Sequence, residues 1–388
     1  MNNYYEVGTK EDPVISNSAL SCINPDEGGS IGKFMNFFGE KEEKKSSLSL
    51  DRGKLVHKYV EDSSKFIVEE LNKPTDMMSG FLEEFVLEAD NIKKGVNYAD
   101  VSIEIINSLK NEKAKEADLR QARADFEKLG NTLGISTDDT IRAFRLARNT
   151  TRAYKSKGDS VLVGDITNNQ QERDYLKFLL GSRDKIVLKI DEKERIVGAT
   201  TALYTHPVVS ALLGLGNSDF DTVVGESFVE VPIYWQESLT EPITGKKVTL
   251  NCKALLDRIT VNHHAKTIHI KDLKTTRRSI YQYQISFEEY HTYRQMGIYN
   301  RAVKFWFTSM FPDRNFTEYT VITDLIPVET MGLYHTTVYG VNHPWLFKGR
   351  DEAKALMTRF AWHKITGEYK YSPEEVESKH RLQFKNPQ

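Results

Sequence analysis

Asp272 and Lys274 stand two residues apart in the run IHIKDLKTT, 268–276. The run alternates as a strand does, so both side chains leave one face, together with Ile268 and Ile270. Asp257 lies in the preceding strand-like run, on the parity of Leu255, Ile259 and Val261. A symmetric hairpin centred between His264 and Ala265 sets Asp257 directly opposite Asp272, with Cβ atoms roughly 4.5–5.5 Å apart. Carboxylates that close repel unless positive charge intervenes. Lys274 is one candidate for that charge. A hard divalent cation, Mg²⁺ or Mn²⁺, is the other, since it prefers oxygen ligands. Such an ion lowers the pKa of a bound water and stabilises charge on a phosphate in transfer. Lys274 would then orient or help deprotonate the attacking water, or balance phosphate charge. The chemistry is metal-assisted phosphodiester hydrolysis. The competing reading is an exposed ion pair on a hairpin, which contributes little. The apolar neighbours count against it, because charges on apolar faces are costly unless paired or metal-bound.

The elements around these residues set where they can stand. ESFVEVPIYWQ, KKVTLNCKALLDRITV and KTIHIKDLKTT are strand-like, joined by turns at EPITGKK and NHHA. Ser286 and Glu289 have the spacing of a capping box for a long helix in which Tyr293, Met296, Tyr299, Ala302, Val303 and Trp306 recur. TEYTVITDLIPV then gives another strand and 350–366 a helix. Upstream, 49–72 is expected as one helix, Phe66 and Ile67 included, and 80–156 as mostly helical. Gly130 is expected to stop one of those helices, and Thr137 or Asp138 to start the next. TNNQQERDYLKFLLGS and THPVVSALLGLG are further helices. The segment IGKFMNFF has the apolar content to dock on the body, and the charge run GEKEEKK is expected to be solvated.

The chain has 388 residues, 39% of them hydrophobic and 28% charged, enough for a large core in one or two domains. Its net charge of −2 means that any nucleic-acid surface must be locally basic. Cys22 and Cys252 are the only cysteines, which excludes an intrachain four-cysteine zinc or iron–sulfur site and fits a reducing compartment. The N-terminus lacks a signal-peptide pattern and no run reaches eighteen apolar residues, so a soluble, cytoplasmic protein with no membrane partner is expected. Cys252 falls on the parity opposite Asp257 and is expected to be packed and inert.

In its ordered motifs the chain resembles the PD-(D/E)xK nuclease superfamily, and within it the RecB-type nuclease domains and exonuclease VIII, a phage-type recombination exonuclease. LLDRI…IHIKDLKTT supplies Asp257, Asp272 and Lys274 in the motif positions. RGKLVHKYVE offers Gly53 and His57 for the upstream helix histidine. VEVPIYW offers Glu230, and YRQMGIYNRA offers Gln295 and Tyr299 for the Q-x-x-x-Y helix. These matches run in the family order from about residue 50 to about residue 305; the stretch 80–220 matches poorly, and Leu256 stands where the pattern has proline. The resemblance implies an α/β (α+β) fold with a restriction-endonuclease-like core: a mixed four- to five-stranded sheet flanked by helices, with a large helical insertion. With the composition of 1–48, which reads as a flexible lead-in, this gives a helical region at 49–220 carrying the histidine, the nuclease core at 221–330 and a helical extension at 331–388. The resemblance implies Asp257, Asp272, His57 and the Leu273 carbonyl around one or two Mg²⁺ ions, Lys274 at the nucleophilic water, Glu230 in the site, and Gln295 and Tyr299 touching DNA or positioning Lys274. Double-stranded DNA is the implied substrate, cut by an exonuclease in recombination or repair. A homo-oligomeric ring and a single-strand annealing partner follow by the same likeness, as does a host cytoplasm if the chain is phage-encoded. The rival expectations are an endonuclease with the same site, a silent nuclease fold that binds DNA or an assembly, and an interaction scaffold.

Six further residues invite chemistry. Arg277 and Arg278 can hold phosphates, and Tyr281 and Tyr283 can stack on unpaired bases; a solvated loop is the alternative. His263 and His264 sit at a hairpin tip with no third ligand near in sequence, so a polar turn is expected there.

Overall fold

The computed structural model describes residues 8–9, 12–38, 48–69, 71, 73–98, 101–106, 112–215 and 225–379. The whole of GEKEEKK, 39–45, lies outside them. The described residues fall into two compact units, one drawn from 1–60 and 195–388, the other from 61–194. Eight strands are described: β1 (Val14–Ile15), β2 (Phe66–Val68), β3 (Ile186–Leu188), β4 (Glu226–Thr240), β5 (Lys247–Asn262), β6 (Thr267–Thr276), β7 (Thr320–Glu329) and β8 (Tyr339–Gly340).

The first unit is a mixed sheet flanked by helices, as expected, with six strands rather than four or five. β4, β5 and β6 form an antiparallel meander. β7 joins β6 in parallel and β8 closes the edge. Two strands of this sheet were not expected: β8, within the segment 331–388 read as helical, and β1, which pairs in parallel with Asn251 and Cys252, upstream of the point where β6 takes over the same edge of β5. The β1 ladder thus ends at Cys252 and the β6 ladder begins at Arg258.

The helix Thr292–Met310 lays Tyr293, Met296, Tyr299, Ala302, Val303 and Phe307 into a core with Leu250, Cys252, Ala254 and Leu256 of β5. It touches the helix His343–Thr366 at two glycines. A Cβ on Gly349 would lie 2.0 Å from the Tyr293 carbonyl oxygen, so only glycine lets the backbones approach this closely. The expected capping box does not form. Ser286 and Glu289 belong to a separate short helix, Tyr283–Glu289, and the long helix starts after His291, which adopts φ 47°.

Residues 12–38 of the lead-in are more ordered than expected. Ala19, Leu20, Ile23, Phe34 and Phe38 are buried in the same core, so IGKFMNFF does dock. Arg294, fully buried, ties this segment down: its guanidinium donates to Glu27 and Glu352 at 2.6 and 2.8 Å, to Asn17 Oδ1 and to Ser21 Oγ. Arg294→Met leaves two largely buried carboxylates without their counter-charge, and a loss of about 3 kcal/mol is expected in urea melts.

The second unit is helical around Phe81, Phe85, Phe126 and Phe144. Its entry corrects the expected helix 49–72. That helix ends at Glu61; Asp62 accepts from the Ser64 N–H, and Phe66–Val68 becomes a strand paired with β3. The helix bearing His57 therefore ends where the second unit begins. Gly134, at φ 72°, ends the helix Glu112–Leu133 where Gly130 was expected to do so. Ser136, one residue before the expected cap, starts the next. Among the described residues no single helix is long and apolar enough to cross a membrane.

Candidate active site

β5 and β6 keep the expected hairpin register: Arg258 pairs with Lys271 and Ile259 with Ile270. One step further on stand Asp257 and Asp272, and there the strands part. β6 continues beside β7 as far as Thr276, leaving its other edge open. On that edge the Leu273 N–H donates to Asp257 Oδ2 at 2.8 Å, and the Leu273 carbonyl accepts from His57 Nε2 at 3.1 Å. The carbonyl expected as a ligand thus orients the histidine. His57 reaches it because its helix comes in at Gly53, where a Cβ would stand 2.9 Å from Thr275 Oγ1. In the neutral tautomer with Nε2 donating, Nδ1 carries the lone pair, and it lies 3.9 Å from Asp257 Oδ2. A histidine held by a carbonyl in this way presents its other nitrogen as a ligand.

Glu230 completes the group. One ligand atom each from His57, Glu230 and Asp257 fall within 4.8 Å of one another. Glu230 lies across from Asp257, between the pairs Val229–Arg258 and Val231–Leu256. Its φ is 50°, in the left-handed region that costs a non-glycine residue roughly 1–2 kcal/mol. The alternation of β5 slips at the same place: Leu250, Cys252, Ala254 and Leu256 are buried before it, Ile259 and Val261 after it, all in one core. Leu255, expected to share a face with Ile259 and Val261, is only half-buried between Ala254 and Leu256. A strained residue beside converging ligands marks a position held for chemistry. Glu230→Gly is expected to keep or raise the melting temperature while activity falls about 10–100-fold; Glu230→Ala loses activity with the strain retained. Thermal melts beside rate assays check both.

Asp272 is fully buried. Lys274 Nζ stands 2.7 Å from its Oδ2, and among the described residues no other donor reaches either oxygen. Burial pushes the Asp272 carboxyl up to about 6; Lys274 pulls against this, Asp257 adds to it, and His57 lowers it. Asp272 therefore feels all three neighbours. Burial works against the Lys274 ammonium, but Asp272 and Asp257 outweigh it and hold its pKa above the ordinary value. The converging trio of one imidazole nitrogen and two carboxylates, with buried Asp272 near Asp257 and His57, is a donor set that suits a divalent cation.

No family model matches the chain, and no curated protein does. A crystal structure of a protein from Eubacterium rectale, described as a candidate exonuclease, is similar over 72% of this chain and 96% of that one, at 10% identity and a TM-score of 0.29. A likeness that low carries no argument, so the site must rest on its own geometry.

The remaining expected residues divide. Gln295 Nε2 donates to the Tyr299 hydroxyl at 2.6 Å, one helical turn away, with Tyr299 buried. Arg277 and Tyr281 are exposed. Arg278 is tied to Glu289 at 2.5 Å and to Ser286 at 3.3 Å. Tyr283, considered for base stacking, is buried; burial and then the charge of Asp272 raise its phenol pKa. Its approach to Asp272 depends on the turn at 277–282, and no spacing in the chain announces it. His263 bonds the Tyr319 hydroxyl at 2.7 Å, in keeping with a polar turn. Cys252 is buried, its thiol pushed up to about 12 by burial. A second trio, Glu27, His291 and Glu352, also converges, but the Arg294 guanidinium already bonds both of its carboxylates.

Proposed function

We propose that this chain is a divalent-metal-dependent nuclease that hydrolyses phosphodiester bonds of double-stranded DNA, working from an end. The observation that carries the reading is Asp272: a fully buried carboxylate 2.7 Å from Lys274 that feels the charges of Asp257 and His57, two members of the His57–Glu230–Asp257 trio. His57 Nδ1, Asp257, Asp272 and Glu230 would hold Mg²⁺ or Mn²⁺. When bound, the ion supplies a water of lowered pKa and charge stabilisation at the phosphate. The protein's own part is orientation. Leu273 fixes Asp257 through its N–H and His57 through its carbonyl. Lys274, kept cationic by the two aspartates, is placed to donate to water or to a phosphate oxygen.

The test is end-labelled linear duplex with Mg²⁺ or EDTA, wild type beside Asp272→Ala. Mg²⁺-dependent release of label by wild type alone is expected, with covalently closed DNA left intact. Cutting of closed circles would make the enzyme an endonuclease, and no hydrolysis at all would end the reading. The arginines separate in the same system. Arg277→Ala is expected to weaken duplex binding and lower its salt slope by about one. Arg278→Ala changes neither, because Glu289 already occupies that guanidinium. Anisotropy titrations across salt concentrations check this pair.

A further inference from the structure

We propose that a groove at the carboxyl ends of β6 and β7 holds unpaired nucleotides of the strand being cut; this rests on the nuclease reading and names a subsite for it. β6 and β7 are parallel and end together, Thr276 beside Glu329. Ligands of open sheets gather at such carboxyl ends. Lys274 is two residues from this end, so the loops that leave it, 277–282 and 330–338, start next to the candidate site.

Those loops are fixed in place. Glu329, buried, accepts from the Ile280 N–H at 2.9 Å through one oxygen and from the His335 N–H at 3.2 Å through the other. A single carboxylate thus sets the distance between them. Thr330 N–H donates to the Thr276 carbonyl at 2.9 Å. Tyr334 adopts φ 56° and lays its ring on Gly198, where a Cβ would stand 2.6 Å from ring carbons.

On this rigid frame two large side chains face water: Tyr281 is 80% exposed and Leu333 76%. Between the loops and the helix around Gly198 lies a groove of about 690 Å³. Histidine, threonine hydroxyl and tyrosine line it, with no Asp, Glu, Lys or Arg, so the wall is uncharged apart from its histidines and neither repels nor pairs a phosphate. Exposed apolar side chains on a pre-organised backbone cost solubility and return nothing to the core. A π-face beside an acid-free wall suits an unpaired, anionic strand, whose bases stack without regard to sequence. The exposed Arg277 on the same loop extends the surface toward phosphate.

The experiment is fluorescence anisotropy in EDTA, so that nothing is cut. The probes are labelled oligo(dT) of about ten nucleotides, within the range such grooves take, and a blunt duplex. The double variant Tyr281→Ala/Leu333→Ala is expected to bind oligo(dT) about tenfold more weakly, with the blunt duplex affected less. Tyr281→Trp keeps a ring and is expected to keep the affinity. Unchanged melting temperatures confirm that each variant is folded, as expected for exposed side chains. Equal loss on both probes, no loss on either, or no oligo(dT) binding by wild type each overturns the proposal; no loss on either hands the patch to a protein partner. Failure of the nuclease reading shows separately, as absence of Mg²⁺-dependent hydrolysis by wild type, while anisotropy still reports on the groove.

Discussion

Asp272→Asn is expected to abolish the proposed metal-dependent hydrolysis and, in EDTA, to raise the melting temperature. The two effects have one cause. Asp272 is fully buried and its carboxyl is pushed up to about 6 from an ordinary value of 3.8, chiefly by burial. An acid whose folded pKa lies above its unfolded one binds its proton more tightly when folded. Its contribution to stability is therefore lost as pH rises through that window, from about 4 to about 6. At neutral pH the metal-free protein carries the cost of a buried anion. An amide of the same shape removes that cost, and the melting temperature is expected to rise by about 2–4 °C. The pH step between about 4 and 6 disappears with it. The same change removes a candidate ligand, so activity is expected to fall by ~10³-fold or more. Adding Mg²⁺ should stabilise wild type and leave Asp272→Asn nearly unmoved. Calorimetric scans at several pH values, with and without metal, check all of this. A variant that melts lower than wild type in EDTA, or that keeps its rate, would refute the assignment.

The strand pairing at the centre of the site was legible because it rests on a short turn. A four-residue loop at 263–266 fixes which residue of β6 opposes which of β5, and Arg258 opposite Lys271 follows from it. The apolar parity on the two strands pointed to one burial face, and Asp272 lies on it. Other features needed information that spacing does not hold. Glu230 in the left-handed region and the slip of alternation beside it are a local departure from strand geometry, and period-two patterning assumes there is none. The helix expected to run through Phe66 ends at Glu61 because Asp62 bonds the next turn and a β-branched run finds β3, a partner about 120 residues away. The segment 12–38 looked loose because its stabilising contact, Arg294, lies some 270 residues downstream. Tyr283 came into the site through a turn whose shape is set by Glu329, a residue on another strand. In each case the missed feature depends on a long-range partner or on strain.

Lys274→Ala is expected to cut activity by about 10²–10³-fold and, unlike Asp272→Asn, to lower the melting temperature in EDTA. Removing the ammonium leaves Asp272 buried with Asp257 close by and no cation beside it, the most costly arrangement the site can adopt. Added Mg²⁺ should therefore restore more stability to Lys274→Ala than it adds to wild type. The double variant Asp272→Asn/Lys274→Ala lacks both charges and is expected to melt above Lys274→Ala alone, a coupling that a mutant cycle measures. Lys274→Arg decides what the lysine does. A guanidinium stays charged and cannot take a proton from water. Asp272 and Asp257 hold the Lys274 pKa above its ordinary value, which makes it an ammonium at neutral pH. Its role is then to donate a hydrogen bond and balance charge, and Lys274→Arg should retain more activity than Lys274→Ala. Equal loss in the two variants would instead make Lys274 the base, or show that only an amine of its length fits beside Asp272. A pH–rate profile separates those outcomes, since a base leaves an acid limb that vanishes in both variants, and a misfit leaves the limb in place at a lower rate.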